Sequence, residues 1–159
     1  MCAMRLRRFL LGLLAVVLLG CAFVYWAGYA VIPPSEPGAT ATFDSALIAR
    51  GAELASVGNC GVCHTRADGP SYAGGRPMVT PFGTIFTTNI TPDAETGLGR
   101  WSETAFLRAM QEGVRRDGAH LYPAFPYDHF TKVSANDLRA IYAFLMTRQP
   151  LLTCERFDS

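Results

Sequence analysis

The chain has 159 residues and a formal net charge of +1, enough for one modest domain plus an appendage and without the charge excess that nucleic-acid binding calls for. Half of its residues are hydrophobic and the mean hydropathy is positive, which is high for a soluble domain. The excess is gathered at the N-terminus.

From Phe9 to Ile32 the sequence reads FLLGLLAVVLLGCAFVYWAGYAVI, with no charged residue. About 20 apolar residues suffice to cross the hydrocarbon core as a helix. A cleaved signal peptide usually has an apolar stretch of about 7–15 residues and then a small-residue cleavage site. This run is longer and lacks a clean A-x-A exit, and Tyr25, Trp26 and Tyr29 stand near its far end, where aromatics favour the membrane interface. Residues 1–32 are therefore expected to form a retained membrane anchor, with a cleaved signal peptide and lipidation at Cys21 of LLGC as the alternatives. Arg5, Arg7 and Arg8 precede the run and few basic residues follow it closely. That asymmetry puts the N-terminus in the cytoplasm and the rest of the chain in a periplasm-like space across a bacterial inner membrane.

Residues 33–43 begin with PPSEPGATAT and read as a linker. A domain is expected over 44–149. Asp44 caps a helix predicted through Val57, with Leu47, Ile48, Gly51 and Leu54 at helical spacing and Gly58 at its end. Gly51 inside a helix costs about 1 kcal/mol relative to Ala. Either a close helix crossing, with an aromatic such as Tyr142 against the bare backbone, or a tolerated surface position accounts for it. Residues 66–100 carry many Gly, Pro, Asn and Asp without a sustained period and are expected to be an ordered loop. Ser102 starts a second helix that Gly113 ends. Ser134 starts a third, with an acidic residue three positions on and Leu138, Ile141, Tyr142 and Leu145 on one face. No strand is expected, and 150–159 reads as an irregular tail. The exported part is thus a small all-α domain of three main helices with long loops. Its core is thin, and a large apolar cofactor would supply the missing buried surface.

The chemistry is concentrated in NCGVCHT. Of the five cysteines, Cys2 and Cys21 fall in the anchor and Cys154 in the tail, which leaves Cys60 and Cys63 to act together. With His64 they form C-x-x-C-H, a c-type haem attachment pattern. Two thiols at this spacing can form thioethers with the two vinyl groups of one haem, and His64 is then the axial iron ligand. A thioredoxin-like dithiol would need an adjoining βαβ pattern and a zinc site a second ligand pair. Neither is present in the sequence.

Five stretches, RGAEL, NCGVCHT, GGRPMVTPFGTIFTTNITPD, GLGRWSETAFLRAMQEGVRRDGAHLYPAFPY and LRAIYAFLMT, resemble class I c-type cytochromes and cover most of residues 45–147. More narrowly, they resemble the first haem domain of membrane-anchored cytochrome subunits that serve bacterial alcohol, aldehyde and nicotinate dehydrogenases. The resemblance implies a cytochrome c fold around one haem c. It implies electron transfer from a dehydrogenase to a downstream cytochrome, quinone site or oxidase of the respiratory chain, without catalysis by the chain itself. Such subunits usually carry three haem domains in series, whereas this chain has one, so a fragment of a multi-haem subunit is a further reading. The family loop often reads Y-P-A-M-P-Y and its Met binds the iron. Here Phe125 stands in that place and has no donor atom. Met78, Met110, His120, His129 and Met146 are the alternatives, of which Met110 and Met146 lie on helices as core filler. Met78, His129 or no strong protein ligand remain for the sixth position. An open sixth position would suit a gas- or peroxide-binding sensor or a peroxidase-like enzyme instead. In TTNITPD, Asn89 and Thr91, and nearby Trp101, either hydrogen-bond a haem propionate or close the loop through Asx and Ser/Thr turns.

Overall fold

The structure is a computed structural model that describes residues 2–28, 30–35 and 42–153. Tyr29, the middle of the expected linker and Cys154 with the rest of the tail lie outside the described residues. Helix α1 spans Cys2–Gly28. Within it Leu6–Ala27, 22 residues long, is apolar enough to cross a membrane, and none of that window is buried in the protein. The helix stops before Ile32. Ile32 and Ser35 instead donate backbone hydrogen bonds to the Arg116 and Arg100 carbonyls, at 2.8 and 3.1 Å. The first part of the expected linker is therefore a strap laid on the domain.

Helix α2 runs Ser45–Val57 from the Asp44 cap, whose carboxylate accepts from the Ala46 N–H, and stops at Gly58, whose N–H donates to the Leu54 carbonyl. The short helix α3, Cys60–His64, follows immediately. Helix α4, Glu103–Glu112, has its Ser102 cap bonded to the Ala105 N–H and ends at Gly113 with φ of 67°. One turn of helix, α5, covers Tyr127–Phe130. Helix α6, Ala135–Met146, opens with a reciprocal cap, in which the Asp137 N–H donates to Ser134 Oγ and that hydroxyl donates to Asp137 Oδ2.

The expectation of a strandless loop over 66–100 is corrected. Strands β1 (Pro77–Thr80) and β2 (Gly83–Phe86) form an antiparallel hairpin with Met78 opposite Ile85. Four residues per strand give too few alternations for a period of two to stand out. The signal was the turn itself. Thr80 Oγ1 accepts from the Phe82 N–H and donates to the Gly83 carbonyl, and Gly83 supplies a φ of 127°.

The core lies where α2 crosses α6, with α4 packed against α6. Gly51 sits in this crossing. A Cβ there would overlap the Ala140 carbonyl oxygen and come within 2.8 Å of the Phe144 Cβ. The close crossing thus explains this glycine, and its partners are Ala140 and Phe144. Tyr142 lies elsewhere, edge-on to Phe43 at 6.0 Å and tilted against Phe106, with its hydroxyl donating to the Trp101 carbonyl. Leu138, Ile141 and Leu145 are buried as the helical spacing predicted.

Candidate haem site

The site begins at a sharp turn between α2 and α3. Asn59 takes the left-handed conformation, φ of 55°, which asparagine tolerates better than most residues. This lets α3 start one residue later in a new direction. Cys60, Cys63 and His64 then stand at i, i+3 and i+4, on neighbouring positions of one helical turn. Cys60 is half-buried and packs against the core cluster, and burial pushes its thiol pKa up, with the Cys63 thiol adding to the rise and a backbone hydrogen bond opposing it. Cys63 is exposed, and both are free thiols.

His64 is held from the side. Its Nδ1 lies 2.7 Å from the Thr88 carbonyl oxygen. A carbonyl only accepts, so Nδ1 carries the proton and Nε2 keeps its lone pair. Burial lowers the imidazole pKa, and the Thr88 hydrogen bond partly offsets that, so the ring is neutral at neutral pH, as a metal ligand must be. The loop that delivers Thr88 is tied to α3 at several points. The Gly74 N–H donates to the His64 carbonyl at 2.8 Å, the Gly75 N–H to the Thr87 carbonyl and the Thr87 N–H to the Arg76 carbonyl. Arg76 Nη1 donates to the Val62 carbonyl. The sequence singled out none of Gly74, Arg76 and Thr88, although the GGRPM and TTNITPD stretches contain all three.

Two thiols and an imidazole with a free Nε2, one helical turn apart, fit the vinyl groups and iron of haem c. Among the described residues no group of three or more His, Cys, Asp or Glu gathers that could hold a metal ion without it.

The candidates for the far side of the iron are dispersed. Phe125 packs against the core cluster that Cys60 also touches and stacks on Phe130, with centroids 5.6 Å apart and planes 7° apart. The His129 side chain is 75% exposed and turns its Nε2 toward Asp128 Oδ2 at 3.7 Å. Met78 belongs to the hairpin that grows from the Arg76–Thr87 pairing, where it stands opposite Ile85. Met110 is buried in the core as filler, and Met146 packs against it. His120 lies in a bridge to Val114.

Asn89 and Thr91 close the loop. Both are buried. Asn89 Oδ1 accepts from the Thr91 N–H and hydroxyl, at 2.8 and 2.7 Å. Asn89 Nδ2 donates to Thr96 Oγ1 and to the Leu151 carbonyl, at 2.8 and 2.6 Å. These bonds use up the amide and staple the start of the C-terminal tail to the loop.

Comparison with known proteins agrees with this geometry. The family model for cytochrome c matches residues 48–149. A nicotinate dehydrogenase subunit from Pseudomonas putida is 52% identical over 122 residues, 77% of this chain and 10% of that protein. The cytochrome c subunit of alcohol dehydrogenase (quinone) from Gluconacetobacter polyoxogenes is 42% identical over 120 residues, 76% of this chain and 26% of the subunit. A diheme cytochrome c-type protein of Cereibacter sphaeroides is 33% identical over 150 residues, 91% of this chain and 50% of that protein. The chain thus spans from a tenth to a half of the length of these relatives. A match that covers more than half of the chain and includes C-x-x-C-H places it in the cytochrome c family.

Proposed function

We propose that the chain is a membrane-held, single-haem electron carrier that serves a dehydrogenase and passes electrons to a further cytochrome, a quinone site or an oxidase. The observation that carries the reading is the His64–Thr88 hydrogen bond beside two free thiols on one turn of α3. Cys60 and Cys63 would hold haem c covalently and His64 would ligate its iron. When bound, haem c supplies one-electron transfer at a potential set by its ligands and surroundings. The chain's own part is mechanical and electrostatic. Cys60 and Cys63 fix the macrocycle to α3, the Thr88 carbonyl fixes the tautomer and ring plane of His64, and the packed aromatics exclude water. The relatives named as dehydrogenase cytochrome subunits support the dehydrogenase partner. The exposed apolar Leu6–Ala27 helix supports the membrane location.

A second reading has a specific observation behind it. Phe125 offers no donor, His129 faces solvent and Met78 is paired with Ile85 in the β1–β2 hairpin. Iron bound only by His64 would leave a face for a gas or peroxide, which suits a sensor or peroxidase-like role. One preparation tests both readings. The protein made in a host competent for haem attachment should keep its haem through acid–organic extraction, and Cys60→Ala or Cys63→Ala should weaken or abolish that retention. Freely extracted haem in the wild type would end the first reading. In the same samples, rapid carbon monoxide binding to high-spin ferrous haem favours the open face, and a low-spin spectrum indifferent to carbon monoxide excludes it.

A further inference from the structure

We propose that an arginine face formed by Arg100, Arg115 and Arg116 docks on the phosphates of anionic lipids at the exported surface of the membrane. This rests on reading Leu6–Ala27 as a membrane span and adds an orientation to it. Helix α1 ends at Gly28 and the strap begins at Ala30. Two residues reach at most about 7 Å. The strap is fastened by Arg108, whose Nη1 donates to the Ala30 carbonyl at 2.5 Å. Its Nη2 donates to the carbonyls of Arg115 and Arg116, at 2.5 and 3.2 Å. One guanidinium therefore joins the exit of the anchor to the turn that carries Arg115 and Arg116. The Ile32 and Ser35 N–H groups extend the attachment to the Arg116 and Arg100 carbonyls. A headgroup layer is about 5–7 Å thick on each side of the hydrocarbon. A face fastened this close to the end of the span lies at headgroup level.

The charge on that face is suited to phosphate. Arg100 is exposed, and neither it nor Arg116 forms an ion pair among the described residues. Arg115 pairs with Asp117 at 2.8 Å but keeps 51% of its side chain exposed. The buried Nε of Arg116 has no hydrogen-bond partner. Trp101, Arg115, Arg116 and Asp117 line a small cleft here, and tryptophan favours the interface. Guanidinium stays charged at every physiological pH and its fork matches phosphate oxygens. Asp117 is the single carboxylate in the cleft, so the face remains net positive. Positive-inside bias is not at issue, because these arginines lie far along the chain from the span and meet near it only after folding.

The experiment uses the full-length holoprotein in nanodiscs of phosphatidylcholine alone or with added phosphatidylglycerol. Retention against carbonate is checked first, and release of the protein would overturn the anchor reading and this proposal together. With the protein retained, backbone hydrogen exchange is followed at the strap and at residues 113–118. Each arginine engaged by anionic lipid favours the docked state by about fivefold. Exchange at these amides should accordingly be at least about fivefold slower in the phosphatidylglycerol discs, and the difference should vanish in high salt. The triple variant Arg100→Gln, Arg115→Gln, Arg116→Gln should abolish it, whereas the double variant Arg66→Gln, Arg148→Gln should not. Equal exchange of the wild type in the two discs overturns the proposal while the anchor stands, and this comparison does not depend on how the variants fold. Protection seen in native membranes but in neither disc would assign the face to a protein partner and overturn it as well.

Discussion

A methyl group added at Gly74 would lie 2.5 Å from the Thr88 carbonyl carbon and 2.6 Å from its oxygen, on a backbone whose φ is already +75°. That carbonyl is the acceptor for His64 Nδ1. Gly74 thus lets the loop approach α3 closely enough to fix the imidazole, though it touches the ring nowhere in its own right. Gly74→Ala should move the carbonyl away and weaken the hydrogen bond. A weaker bond makes the imidazole a poorer donor and stabilises ferric iron less. The reduction potential of the holoprotein should rise, with a lower yield of mature protein, and potentiometric titration of wild type and variant checks it. An unchanged potential in a variant that matures normally would show that the bond does not tune the site. The three side chains proposed to hold haem were legible because C-x-x-C-H brings its own spacing. Thr88 was not, because it acts through a backbone carbonyl that any residue possesses.

Between elements, the crossing of α2 and α6 inverts an ordinary propensity argument. Gly to Ala inside an exposed helix stabilises by about 1 kcal/mol. At Gly51 the new Cβ would collide with the Ala140 backbone and the Phe144 Cβ, and the Ala140 carbonyl is part of a helix that cannot bend aside cheaply. Gly51→Ala should destabilise the domain by about 3 kcal/mol, an overpacking cost at the upper end of the usual range. Chemical denaturation of the holoprotein measures it, and a stabilised variant would mean that the helices do not cross here. The caps at Asp44, Ser102 and Ser134 were readable because each is a local hydrogen bond written within four residues of sequence. The hairpin escaped because four residues per strand are too few for a period of two to stand out. Phe43 against Tyr142, and Asn89 against Leu151, escaped because their partners lie 62 or more positions apart.

At the scale of the whole chain, the N-terminal run and the domain are joined more tightly than composition suggests. Pro, Gly and Ser in PPSEPG read as a loose tether, yet residues 30–35 begin by lying on the domain. Pro33 and Pro34 have no N–H to satisfy, and the Ile32 and Ser35 donors on either side of them both find carbonyls. The helix that precedes it presents its large apolar side chains outward. Leu6–Ala27 buries nothing against the protein, and Phe9, Leu19, Val24 and Trp26 are each at least two-thirds exposed. So much apolar surface is stable in hydrocarbon and costly in water. The run should therefore remain in the mature protein and hold it in the membrane through washes with salt and carbonate, with the haem domain open to protease added on the exported side. N-terminal sequencing of the mature protein separates this from cleavage. A mature N-terminus after Ala27, with the protein freed by salt, would leave the strap on the domain and remove the anchor. In that case the haem domain would be a soluble carrier, and its route to a dehydrogenase would be diffusion in place of a fixed station beside the membrane.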